Sequence, residues 1–380
     1  MDRYEAGCSA LGICLAANVP VVLWGPPGQG KTSVIEQLAA DLGLHLETVI
    51  ASIREPSDFA GLPVVDAQAG TVTLAPPRWA RALAAAPRGV VFFDEMSTAP
   101  PAVQSAMLRV AVDRVVGDLA LPPAVRVVAA ANPPGVATDG WDLTPPLANR
   151  FCHLEWSLPA TTLREGFAYG WPRVPVPPSD LDPDGAHPPQ ATAPLSQGTA
   201  DAMRLVGVFL GTRPELATRM PDSASEAGFA FPTPRSWEMA ARLYAAAQGA
   251  PGQVRTMLVA GCVGAPAAGE FLAYVSTLDL PDPEALLDDP ASLRLNGRRS
   301  DIVHAVASSV WAVTEARLTP ERWVSCGRVL AGIADAGHAD IAFATARRWV
   351  RARPANALPD VASMRSLQPI LRELGRLIET

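Results

Sequence analysis

The octapeptide Gly25-Pro26-Pro27-Gly28-Gln29-Gly30-Lys31-Thr32 fits the pattern GxxxxGK[ST]. Glycines at this spacing let successive backbone N–H groups turn inward on phosphate oxygens, and a helix opening at Lys31 adds the positive end of its dipole. Lys31 is expected to neutralise the β and γ phosphates, and the Thr32 hydroxyl to ligate Mg²⁺. The contact stretch runs on to Ser33. The composition strengthens this reading. Of 31 basic residues Lys31 is the one lysine, and the rest are arginine. A compact ammonium suits that position where a wide planar guanidinium does not.

A second chemical element follows in Val90-Val91-Phe92-Phe93-Asp94-Glu95, an apolar run ending in two acids. A carboxylate at the carboxyl end of a strand beside the phosphate loop faces the same crevice. Asp94 is expected in the Mg²⁺ shell, with Glu95 polarising an attacking water. The alternative is a strand that merely ends in polar residues.

Elements that would position these groups can be read from the apolar pattern. A helix over 3–17 precedes a buried strand over 19–25, and a helix runs from Lys31 to Asp41. Further strands are expected at 45–52, 89–95, 126–132 and 151–158, with helices from Pro77 to Ala86 and from about Ala99, where Pro100 and Pro101 supply helix-start chemistry. Two β-branched runs around a turn predict a hairpin over 62–76, and a smaller one is expected over 114–126. Nearly continuous apolar strands alternating with helices imply a parallel sheet covered on both faces. The stretch 171–195 is dense in proline, has no apolar periodicity and reads as a linker. Beyond it the chain turns helical, at 236–248, 301–318 and 338–353.

Composition narrows the classes. With 380 residues, two or three domains are expected, and 49% hydrophobic against 18% charged residues is enough for a sizeable core. A net charge of −7 argues against a general nucleic-acid surface, leaving room for a local basic groove. No apolar run reaches a membrane span and no signal pattern opens the chain, so a soluble, cytoplasmic protein is expected. Cys8, Cys14, Cys152, Cys262 and Cys326 form no CxxC pair and read as buried free thiols. Cys152 and His153 are adjacent but lack further ligands nearby, so no protein-ligated metal centre is expected.

Taken together, the phosphate loop, the strand ending in Asp94-Glu95, a strand ending at Asn132 and the arginines Arg150 and Arg235 resemble an AAA+ ATPase. The hairpins at 62–76 and 114–126 match the helix-2 insert and pre-sensor-1 insertion of one AAA+ group. DEMSTAPPAVQSAMLR, AANPPG and LTPPLANRF are similar to MoxR-type and dynein-related ATPases. Two positions depart from the MoxR pattern: Ser97 stands for an asparagine, and Arg109 for a frequent glutamate.

The resemblance covers about residues 15–250. It implies an α/β fold with a P-loop NTPase core, a five-stranded parallel sheet flanked by helices, followed by an α-helical lid and a helical C-terminal extension. Boundaries are expected at 1–165 for the core, 166–196 for the linker, 197–290 for the lid and 291–380 for the extension. Asn132 would be the sensor-1 residue orienting water. Arg150 would be an arginine finger reaching into a neighbouring subunit. Arg235 would be sensor 2, carried by the lid onto the γ-phosphate. ATP and Mg²⁺ are the implied cofactors. The implied partners are copies of the chain in a hexameric or similar ring and a remodelled protein, such as one of von Willebrand A type. A slow ATP-dependent switch and a nucleic-acid motor or loader stay open as alternatives. Against the motor stand the acidic charge and the lack of interleaved aromatic and basic residues.

Overall fold

The computed structural model describes residues 1–68, 70–134, 140–177, 179, 197–277, 281–295, 300–354, 356–358 and 364–369. Residues 178 and 180–196 of the proline-dense stretch, and Ala69 of the first hairpin, lie outside the described residues.

The chain opens with α1 (Arg3–Ala16), β1 (Val21–Trp24), α2 (Lys31–Asp41) and β2 (His45–Ile50). After α3 (Ser57–Ala60) comes a hairpin of β3 (Leu62–Asp66) and β4 (Thr71–Ala75), then α4 (Arg78–Ala85), β5 (Gly89–Asp94) and α5 (Pro101–Asp113). A second hairpin, β6 (Val115–Val116) and β7 (Leu119–Ala120), leads into β8 (Val125–Ala131), α6 (Pro145–Ala148), β9 (Cys152–Glu155) and α7 (Ala160–Tyr169). The rest is helical: α8 (Gln197–Thr212), α9 (Ala224–Ala227), α10 (Pro234–Ala246), α11 (Gly252–Val263), α12 (Ala265–Thr277), α13 (Pro283–Asp288), α14 (Ser300–Ala316), α15 (Pro320–Asp335) and α16 (Ala339–Arg351).

Five strands form one parallel sheet in the order β2-β5-β8-β1-β9. The expected α/β fold is therefore present, and the physical cause is legible locally. β1 and β8 are buried along their whole length, as apolar strands covered on both faces must be. β1 lies between β8 and β9, so the loop after it opens at the carboxyl edge of the sheet with β8 and then β5 on one side. The 114–126 hairpin is shorter than its expected span, pairing only Val115–Ala120 and Val116–Leu119. Short strands leave little edge exposed.

The chain divides into two compact units, residues 1–194 with 210–272, and residues 195–209 with 273–380. The first holds the sheet, its flanking helices, α10 and α11. A capping box in which Asp2 and Glu5 exchange backbone bonds starts α1. Trp171 folds back on α7, where a Cβ on Gly166 would meet its ring at 2.6 Å. The second unit has its own core from Trp311, Trp323, Trp349 and surrounding aliphatics. Trp323 and Trp349 stack with centroids 4.1 Å apart, each indole N–H donating to the other's backbone carbonyl.

Candidate functional site

The phosphate loop leaves β1 and turns into α2 with Gly28 and Gly30 in the left-handed region, at φ 77° and 72°. Any L side chain is strained there, so these glycines are needed for the loop's shape. Gly25 is needed for closeness, since a Cβ would sit 2.3 Å from the Trp156 carbonyl. Lys31, 8% exposed, donates to the carbonyls of Gly25 at 2.5 Å and Pro26 at 2.9 Å, and to Asn132 Oδ1 at 3.2 Å. Burial lowers its pKa, and the nearby Asp94 carboxylate partly opposes that shift.

Two further strand ends converge on this loop. Thr32 Oγ1 donates to Asp94 Oδ2 at 2.9 Å, so a hydroxyl and a carboxylate meet at one point. Hard oxygen donors so arranged fit Mg²⁺. Glu95 has a left-handed backbone, φ 56°, unusual for a non-glycine residue and placed at the turn out of β5. Thr98 holds that turn, its amide and hydroxyl both donating to the Glu95 carbonyl. The Glu95 carboxylate accepts a 2.5 Å bond from Ser52 Oγ, just past β2. Asn132 follows β8 directly, and its amide donates to Ser97 Oγ at 3.0 Å.

The loop is also pinned from the β9 side. Gln29 accepts from Trp156 Nε1 at its carbonyl, 3.1 Å, and from the Leu158 amide at Oε1, 2.9 Å. Trp24, the residue before Gly25, donates its indole N–H to His153 Nδ1 at 2.8 Å. His153 Nε2 lies 2.9 Å from the Ala148 carbonyl, which can only accept, so the imidazole is the neutral Nε2–H tautomer. Burial pushes its pKa down to about 4 against a smaller upward pull from Ala148. A cavity of about 1270 Å³ opens beside Gly25 and Pro26, with Trp156, Gln253 and Met257 among its walls.

Arg150 and Arg235 are brought near each other. Arg150 donates to the Pro146 carbonyl, and burial lowers its pKa, with the Arg235 charge adding to the shift and Asp113 opposing it. Its Nε is buried and unpaired. Asn149 locks the two segments together, donating to the Phe231 carbonyl at 3.0 Å and accepting from Thr233 Oγ1 at 2.6 Å. Thr233 caps α10, whose second residue is Arg235. Among the described residues, no hydrogen bond or ion pair joins either arginine to Lys31, Thr32, Asp94, Glu95 or Asn132.

Sequence reasoning missed Ser52, Asn149 and His153 as parts of this arrangement, and noted Ser97 only as a departure from a pattern. All four act through partners distant in sequence, which local spacing does not signal. The five cysteines are free and buried. Among the described residues no His, Cys, Asp and Glu side chains cluster in threes suited to a metal ion, and no helix is long and apolar enough to cross a membrane.

Residues 20–151 match the AAA domain of the dynein-related subfamily. No curated protein matches the sequence. An ATPase candidate from Cytophaga hutchinsonii is similar in structure at 18% identity, over 68% of this chain and 83% of that one, with a TM-score of 0.40. A full-length MCM homologue from Methanopyrus kandleri is similar at 19% identity, over 72% of this chain and 57% of that one, with a TM-score of 0.38.

Proposed function

We propose that this ATPase, whose residues 20–151 make up an AAA domain of the dynein-related subfamily, turns over ATP in a ring of like subunits and uses the free energy to remodel a partner protein. The observation that carries the reading is the meeting of Lys31, Thr32, Asp94 and Asn132 at the carboxyl ends of three adjacent strands. Ligands of open α/β sheets bind there, where strand order switches direction.

In this reading the amides of residues 25–33 cradle the phosphates, and Lys31 exchanges its carbonyl contacts for phosphate oxygens. The cavity beside Gly25 has room for the nucleoside. Thr32 and Asp94 would hold Mg²⁺, which when bound supplies charge neutralisation on the phosphates. Glu95 polarises the attacking water, and Asn132, within reach of Lys31, orients it. Arg235 acts as sensor 2 on the γ-phosphate, and Arg150 serves the neighbouring subunit's site as an arginine finger. Support comes from the charge that Arg235 exerts on Arg150 and from the Asn149 lock between their segments, which place the two cations together. Positive charge delivered there stabilises the transition state of phosphoryl transfer.

The partner contact is assigned to the first hairpin. Val64, Val65 and Val72 are exposed on it, Val65 at 71%, and Val65 pairs directly with Val72. An apolar two-stranded ribbon in solvent is a docking edge unless something covers it. A MoxR-like role beside a von Willebrand A-type partner is the specific form of this proposal.

Turnover and binding measured side by side test the core of it. Lys31→Ala abolishes ATP binding, whereas Glu95→Gln retains binding and loses turnover. Equal ATP affinity in Lys31→Ala and the parent chain refutes the phosphate-loop assignment.

A further inference from the structure

Ser97 is a polar side chain in an apolar place. It is 4% exposed, between Met96 and Ala99, which are fully buried. A buried hydroxyl is kept only where it makes a hydrogen bond that matters to the surroundings. Here the bond goes to the Asn132 amide, at 3.0 Å.

The ladder explains why that amide needs a partner. β8 pairs with β5 only as far as Ala129 opposite Phe93. On its other side the register with β1 ends at Ala131 opposite Trp24, and the last backbone bond runs from the Gly25 amide to the Ala131 carbonyl at 3.2 Å. Asn132 is the first residue past both ladders, so its backbone depends on what meets it there. Its side-chain oxygen has to stay within reach of Lys31 Nζ, now 3.2 Å away. Ser97 supplies the missing acceptor. Its own carbonyl accepts from the Trp141 amide at 2.7 Å, which gives Ser97 a second anchor. Two residues before it, in the same Thr98-bonded turn, stands Glu95.

We infer that Ser97 is a positioning residue that fixes Asn132 relative to Glu95, and so sets the gap in which the attacking water is held. The inference rests on the reading of Asn132 and Glu95 given above. A short rigid turn carries the base at one end and the support of the orienting amide at the other, so the two move as one body. Ser97 touches neither nucleotide nor water in this scheme. Its removal therefore costs orientation in the chemical step rather than substrate affinity.

The test measures kcat, KM and ATP Kd for Ser97→Ala, Ser97→Thr, Asn132→Ala and the double variant Ser97→Ala/Asn132→Ala. Small misplacement of a positioned group slows chemistry without weakening binding, so Ser97→Ala is expected to lose about tenfold in kcat with ATP Kd within about twofold. Ser97→Thr keeps the acceptor oxygen and recovers most of the rate. The double variant turns over no more slowly than Asn132→Ala alone, because the two act in series. If the alanine variant does not fold, Ser97→Cys preserves volume while weakening the acceptor, and the same loss is expected of it. A parental kcat in Ser97→Ala beside a slow Asn132→Ala overturns the inference and leaves the Asn132 reading standing. Additive losses in the double variant overturn it as well. A parental kcat in Asn132→Ala overturns the underlying reading instead.

Discussion

Lowering the pH should weaken the first unit through His153, and the structure sets both the sign and the size. The imidazole accepts from Trp24 at Nδ1 and donates to Ala148 at Nε2, an arrangement available only to the neutral ring. Protonation would turn Nδ1 into a donor facing the indole N–H. Burial holds the folded-state pKa down at about 4, against 6.5 for the ordinary group. Between those values the unfolded chain binds a proton that the folded chain refuses, so stability is complete above the ordinary pKa and is lost as pH falls. The slope is about 1.4 kcal/mol per pH unit, which gives about 2 kcal/mol lost by about pH 5. His153→Phe removes the titration but leaves the Trp24 donor and the Ala148 acceptor unpaired, at a cost of about 2 kcal/mol near neutral pH. The assay is urea unfolding of both proteins across about pH 5 to 7.5. The parent's advantage should be largest at the top of that range and nearly gone at the bottom. Parallel curves would refute the reasoning.

Other expectations follow from particular contacts. Arg150→Ala should bind ATP normally and lose at least about a hundredfold in turnover, and mixing it with Lys31→Ala should restore activity through composite sites; turnover insensitive to both changes removes the ring mechanism. Ser52→Ala frees the Glu95 carboxylate from a 2.5 Å bond and should raise basal turnover by about three- to tenfold, which steady-state ATPase rates would show. Replacing residues 66–70 by Asn-Gly keeps a tight turn and should leave basal turnover within about twofold while abolishing stimulation by the partner; loss of both activities would make the hairpin structural.

Contiguous patterns carried far in the sequence alone. The phosphate loop is eight adjacent residues whose glycines, lysine and threonine are each required by local backbone and charge, so its shape is written in one stretch. The buried strands of the parallel sheet announced themselves as apolar runs, and the two acids closing β5 stood out for the same reason. Even the first hairpin was legible, because turn chemistry is local. Tertiary structure decided the rest. Ser52 meets Glu95 across 43 residues, Ser97 meets Asn132 across 35, Asn149 meets Phe231 across 82, and His153 meets Trp24 across 129. A serine, an asparagine and a histidine have many uses, and nothing in their immediate neighbours selects one. Their partners are chosen by how the strands stack side by side and where α10 docks, which is a property of packing. Arg150 and Arg235 show the same division. Their place in a family pattern was visible in sequence, but that the charge of one acts on the other is a matter of packing, with the Asn149 lock joining segments far apart along the chain.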